Sequence, residues 1–82
     1  MTKVHFYTKE ICSLCDEAEA LLNLFQEEFN LDIEVRDIYT NDTWLEKYHL
    51  RIPVIEIGHA QIDCETMSYD HLRQFLKEHA TS

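Results

Sequence analysis

Two cysteines flank two other residues in Cys12-Ser13-Leu14-Cys15, between an apolar stretch and an amphipathic one. A pair spaced this way at the start of a helix can open and close a disulfide within one turn. The first helical turn carries backbone N–H groups with no intrahelical partner. Their partial positive charge favours a thiolate over a thiol, and the thiolate is the species that attacks a disulfide. Cys12, at the mouth of the helix, is the expected nucleophile with the more exposed sulfur. Cys15, one turn deeper, is the expected resolving thiol, attacking the mixed disulfide to release the reduced partner. The same spacing also serves as half of a zinc site or as two inert buried thiols. Zinc prefers four closed ligands, no second CxxC is present, and the five histidines show no HxxH-like clustering. The expectation is therefore a dithiol without metal. A metal or iron–sulfur module using Cys12, Cys15 and Cys64 with a histidine stands as the alternative.

Other side chains bear on that chemistry. Lys9 supports a thiolate by proximity or is an ordinary solubilising lysine. Asp16 and Glu17 suit the helix dipole but repel a thiolate, so only a moderate preference for the charged form is expected. Cys64 is either a third thiol able to capture Cys12 or a small half-buried hydrophobe. Trp44 and Tyr48, at helical spacing, read as core packing.

Positioning these groups requires a sheet and helices. Lys3-Val4-His5-Phe6-Tyr7-Thr8 reads as a strand with apolar groups on both faces, hence a central one. Leu14, Ala18, Leu21, Leu22, Phe25 and Phe29 recur at three- and four-residue spacing on one face of a helix. Asp32-Ile33-Glu34-Val35-Arg36-Asp37-Ile38 alternates as a half-exposed edge strand does, and a strand–helix–strand order implies a right-handed parallel unit. Asn41-Asp42 caps a short helix burying Trp44, Leu45 and Tyr48. Arg51-Ile52-Pro53 ends that helix, because the residue before proline is pushed out of helical space. Strands at 53–57 and 60–64, joined by Gly58-His59, must form an antiparallel hairpin. Ser68 caps a closing helix with Tyr69, Leu72, Phe75 and Leu76 facing inward.

With 82 residues the chain predicts a single domain over 1–82, and 45% hydrophobic residues supply a modest core. A formal charge of −9 argues against nucleic acid or an anionic membrane as partner. Three cysteines are too few and too unevenly placed for a secreted disulfide scaffold. Met1-Thr2-Lys3 runs straight into strand-like residues, and no apolar stretch approaches ~18 residues. The expectation is a cytoplasmic monomer without leader or membrane span.

The order β-α-β-α-β-β-α, with CxxC opening the first helix and a proline opening the third strand, resembles a glutaredoxin, the smallest version of the thioredoxin fold. Phe6-Tyr7-Thr8-Lys9-Glu10-Ile11-Cys12-Ser13-Leu14-Cys15 is similar to that family's apolar strand, Ser/Thr-Lys, two residues and dithiol. Ile52-Pro53-Val54 resembles its Val-Pro segment. The resemblance implies an α/β fold with a mixed sheet in strand order 2-1-3-4, the first and last helices on one face and the short helix on the other. It also implies a cis proline facing the dithiol, with Ile52 offering its backbone N–H and C=O to a bound peptide in the manner of a short strand. The candidate substrate-binding set is thus Lys9, Ser13, Leu14, Ile52 and Pro53. The implied activity is reduction of protein or small-molecule disulfides in electron transport and cell redox homeostasis, with glutathione or a reductase as electron donor and no tightly bound cofactor. Two departures matter. Ser-Leu replaces the usual Pro-Tyr between the cysteines, and Asp63-Cys64-Glu65-Thr66 replaces a glycine-containing motif that holds glutathione. Glycines let a backbone approach a ligand closely, whereas Asp63 and Glu65 would repel its carboxylate, so glutathione is the less favoured reductant. A non-catalytic acidic interaction domain on the same scaffold is a further alternative.

Overall fold

The computed structural model describes residues 1–80. The chain runs β1 (Thr2–Thr8), α1 (Ser13–Phe25), β2 (Leu31–Asp37), a 3-10 turn (Ile38–Thr40), α2 (Asp42–Tyr48), β3 (Val54–Ile57), β4 (Ala60–Ile62) and α3 (Tyr69–His79). The sheet order is β2-β1-β3-β4. β1 pairs parallel with β2, Phe6 opposite Val35, and antiparallel with β3, Phe6 opposite Ile55. This mixed, four-stranded α/β sheet matches the expected 2-1-3-4 order.

Each face of the sheet has its own apolar cluster. Val4, Phe6, Ile55 and Ile62 pack with Ala18, Leu22 and Phe25 of α1 and Leu72, Phe75 and Leu76 of α3. On the opposite face Tyr7 and Val54 pack with Ile38 and Tyr48, and Trp44 and Leu45 lie half-buried against them. Successive residues of a strand point to opposite faces, which is why Phe6 and Tyr7 serve different cores. The short α2 is started by Asn41, whose side chain accepts from the Thr43 and Trp44 N–H groups at 2.9 and 3.2 Å, a cap contributing about 1 kcal/mol.

Several local expectations are corrected. The first helix ends at Phe25, not Phe29, because the chain reverses through Asn30 at φ 53°, a left-handed conformation that Asn tolerates better than most residues. The Phe29 ring still packs edge-on against Phe25, centroids 5.9 Å apart. β4 stops at Ile62 rather than continuing to Cys64. The Asp63 carboxylate accepts from the Glu65 N–H at 3.1 Å and its carbonyl accepts from the Thr66 N–H at 3.2 Å, which turns the chain. Tyr69 is 48% exposed rather than facing inward, since it is the first residue of α3 and reaches back over Phe25. Leu14, placed on the buried side of α1 by spacing, is 58% exposed. The Gly58-His59 link is tight, with Gly58 at φ +60° and His59 not left-handed, as in hairpin turns that need glycine first.

The α2 face of the sheet carries a polar network across all four strands. His5 Nδ1 lies 2.9 Å from Glu56 Oε1, and the Tyr7 hydroxyl donates to the same oxygen at 3.3 Å. Gln61 Nε2 donates to Glu56 Oε2 at 2.9 Å and to the Tyr48 hydroxyl at 2.8 Å. Arg36 donates to the Tyr7 hydroxyl at 2.9 Å, approaches His5 Nε2 at 3.3 Å, and pairs with Glu34. A guanidinium can only donate, so His5 Nε2 accepts and the ring proton sits on Nδ1, aimed at Glu56. Burial pushes the Tyr7 hydroxyl up to about 12, the Arg36 hydrogen bond only partly opposing it, so Tyr7 stays a donor to Glu56. Burial would raise the Glu56 carboxyl, but hydrogen bonds from His5, Gln61 and Tyr7 outweigh it and hold it below its ordinary value of 4.5.

That sign fixes a pH dependence. A carboxyl with a lower pKa folded than unfolded contributes stability that is present above the unfolded value and lost as pH falls through the folded one. The wild type is therefore expected to lose more stability than Glu56→Gln on acidification below about pH 4.5. Urea unfolding of both proteins at pH values on either side of that point checks this. Parallel losses would show that Glu56 is not a stabilising carboxylate.

Candidate active site

The loop after β1 delivers Cys12 to the N-terminus of α1, where it is the capping residue in extended conformation, φ −159° and ψ 100°. Its Sγ accepts from the Cys15 N–H at 3.1 Å, and its carbonyl accepts from the Asp16 N–H at 3.0 Å. A cap of this kind uses an orphan donor of the first turn, and it aims a partial positive charge at the sulfur. Cys12 and Cys15 are joined as a disulfide with Cα atoms 5.2 Å apart. Cys12 is half-buried and Cys15 is 1% exposed within the α1–α3 core. The two sulfurs thus differ in access by position on the helix alone. Of the two residues, Cys12 is the one that reaches the surface.

The remaining candidate residues surround the pair unevenly. Ser13, the first residue of α1, and Leu14 are exposed between the cysteines. The Ile52–Pro53 peptide bond is cis. Pro53 is buried and lines a groove together with Leu14 of the dithiol segment. Ile52 packs against both apolar clusters. Its expected role as a two-sided backbone partner is corrected, because its N–H donates to the Tyr48 carbonyl at 3.1 Å. The end of α2 consumes that donor, leaving the carbonyl as the group Ile52 can offer. Lys9 stands away from the groove, in a depression of about 430 Å³ with Glu10, Ile11, Asp37 and Tyr39.

Cys64 is a free, half-buried thiol on the wall of the groove that holds Pro53. Its N–H donates to the Arg51 carbonyl at 3.2 Å, while the Arg51 Nε reaches the Asp63 carboxylate at 3.5 Å. These contacts fasten the 63–66 turn to the segment before Pro53. Asp63 is therefore engaged by Arg51 and by the turn it caps, so its charge is compensated more than its sequence position suggested. Sequence reasoning missed the Arg51 link. Nothing in the spacing of Arg51 and Asp63 announces it, since it depends on a turn that the strand assignment had removed. It also missed the His5–Glu56–Tyr7–Arg36 network, although the matching parity of polar residues on adjacent strands carried that signal. Among the described residues no three His, Cys, Asp or Glu side chains are gathered where they could hold one metal ion, and no helix is long and apolar enough to cross a membrane.

A family model described as "Glutaredoxin-like domain (DUF836)" matches residues 3–77. Among solved structures, a structural-genomics target protein from X. campestris is similar at 22% identity and TM-score 0.77, covering 92% of this chain and 96% of that one. Thioredoxin 1 from Thermosipho africanus is similar at 19% identity and TM-score 0.66, covering 93% and 96%. An oxidised thioredoxin from Plasmodium falciparum is similar at 14% identity and TM-score 0.67, covering 96% and 81%. At these identities the structures establish a thioredoxin fold. With the family match, the Cys12–Cys15 pair supports a redox role at the level of the family.

Proposed function

This chain belongs to the glutaredoxin-like domain family, and from that premise we propose that it is a thiol–disulfide oxidoreductase that reduces disulfides through Cys12 and Cys15. The observation that carries the reading is the asymmetry of the pair: an accessible Cys12 sulfur capped by a helix N-terminal N–H, and a buried Cys15 one turn deeper. The reduced form acts as follows. The Cys12 thiolate attacks one substrate sulfur, forming a Cys12–substrate disulfide and releasing the other substrate sulfur as a thiolate, which takes up a proton. The Cys15 thiol gives up its proton and attacks the Cys12 sulfur, releasing the second substrate thiol and closing the Cys12–Cys15 disulfide. Two electrons pass from the protein to the substrate, and the oxidised pair is the form the structure holds.

An external thiol donor must then reduce the pair. Glutathione is the less favoured donor, because Asp63-Cys64 brings side chains where a backbone would have to approach the ligand and the chain carries a charge of −9 against an anionic tripeptide. Oxidised protein should be re-reduced faster by a thioredoxin-reductase system than by glutathione with its reductase, each followed by NADPH consumption. Rapid turnover with glutathione, insensitive to salt, would reverse the donor assignment. Failure of every donor and every disulfide tested would leave a non-catalytic domain.

A further inference from the structure

We infer that the groove beside the dithiol is a subsite for one lysine or arginine side chain of a polypeptide substrate, with Glu17 as the residue that selects it. The inference deepens the oxidoreductase reading and rests on it. The groove is walled by Leu14, Ala18, Leu21, Met67 and Pro53, and Glu17 is the only charged side chain on it among the described residues. Leu14 lies between the two cysteines in sequence, and Cys12 caps the helix that carries Leu14, Glu17, Ala18 and Leu21. The groove thus shares α1 with the dithiol and reaches it through Leu14, although neither sulfur of the pair lines it.

Size and chemistry together identify the occupant. The groove measures about 180 Å³, below the ~300–1,000 Å³ typical of sites that enclose a small molecule. It suits a single long side chain. Four apolar side chains and a proline along the wall favour an aliphatic stem, and one carboxylate at the wall favours a cationic head. Lysine and arginine combine the two, burying methylenes while the charge stays near water. An acidic side chain would meet Glu17, and a wholly aliphatic one would gain nothing from its exposed carboxylate. The field of the molecule acts in the same sense. Four of the seven basic side chains, Lys3, Arg36, Arg51 and Arg73, are already paired with carboxylates. The net charge of −9 draws a basic segment toward the chain.

The larger depression around Lys9 carries both charge signs, Lys9 against Glu10 and Asp37, and sets no comparable preference.

The test uses a series of peptides, each containing one cysteine in a disulfide with a small thiol, with Lys, Arg, Glu or norleucine placed in turn at each of the two positions on either side. The reduced protein is expected to turn over the Lys and Arg peptides about five- to tenfold faster than the Glu peptide at one position only, the modest size reflecting a solvent-exposed ion pair. Raising the salt to about 0.5 M should narrow the ratio. Glu17→Gln should bring it close to one and Glu17→Lys should invert it, and because ratios are compared within each variant, any change in Cys12 reactivity cancels. A preference of equal size at every position would assign it to the diffuse field and overturn the subsite, as would an unchanged ratio in Glu17→Gln. Parallel titrations with the same peptides carrying serine for cysteine, followed by NMR at Leu14, Ala18 and Met67, read binding without chemistry. Charge-ordered binding without turnover would sink the oxidoreductase reading and keep the subsite. Turnover without any charge order in rate or binding would do the reverse.

Discussion

Cys12→Ser is expected to lose disulfide reductase activity altogether, with rates indistinguishable from buffer, whereas Cys15→Ser keeps the first half of the reaction. The difference follows from position. Only the half-buried Cys12 sulfur can be attacked from solution or attack a partner, because Cys15 sits in the core with 1% of its surface exposed. A serine hydroxyl at 12 could still accept the Cys15 N–H as a cap, so the variant should fold and melt close to the wild type. Cys15→Ser should accumulate a stable mixed disulfide with substrate, visible as a mass increase of one substrate thiol per chain. Alkylation of the reduced protein provides an independent check: Cys12 should be modified well before Cys15. Preferential labelling of Cys15, or residual turnover in Cys12→Ser, would reverse the assignment.

The second large effect concerns the sheet that carries the site. Phe6 is fully buried at the centre of β1, opposite Val35 on one side and Ile55 on the other, and beneath α1 and α3. Phe6→Ala removes most of a ring from a packed interior, at a cost of about 3–5 kcal/mol. A domain of this length has roughly 4–12 kcal/mol in total. With a urea dependence of about 1 kcal/mol per molar, the midpoint should fall by ~3 M or the protein should be unfolded without denaturant. Leu50→Ala is the control, since Leu50 is 83% exposed and its loss should stay within about 0.5 kcal/mol. A Phe6→Ala midpoint within 1 M of wild type would contradict the packing described for β1.

The strength of that core explains why so much of the fold was legible in the amino-acid sequence. Periodicity is imposed by burial, so Ala18, Leu22, Phe25, Leu72, Phe75 and Leu76 announced two helices with one apolar side each, while their shared side of the sheet was implied by the family resemblance, and the Phe6-Tyr7 juxtaposition announced a strand covered on both sides. Capping chemistry is local and was equally legible at Asn41 and Ser68. The errors fall where a backbone event or a distant partner decides. Phe29 has the right spacing for α1, but Asn30 reverses the chain. Leu14 and Tyr69 also fit their helical stripes, yet each lies in a first turn at the end of its helix, where Leu14 is 58% exposed and Tyr69, though its ring lies against Phe25, is 48% exposed. Cys64 looked like strand until the Asp63 side chain turned the backbone. The placement of the Cys12–Cys15 pair was legible because it rests on a local relation, two sulfurs and one helix turn. The groove was not, because its walls come from α1, the segment at Pro53 and the connection before α3, between Leu14 and Ser68.

The two open margins of the sheet are protected by different means. β4 has only three residues, and the chain leaves its line at once into the turn fastened to Arg51. It is too short to template another strand. β2 is seven residues long and is bonded on one side alone, so its outer row of amide and carbonyl groups is a place where a second chain could lengthen the sheet. Its sequence opposes that outcome: Asp32, Glu34 and Asp37 outnumber the single Arg36, and another copy lying against it in either direction would bring carboxylates into a crowded, like-charged row. The same acidity that would favour basic partners thereby also opposes edge-to-edge pairing along the sheet's longest open margin.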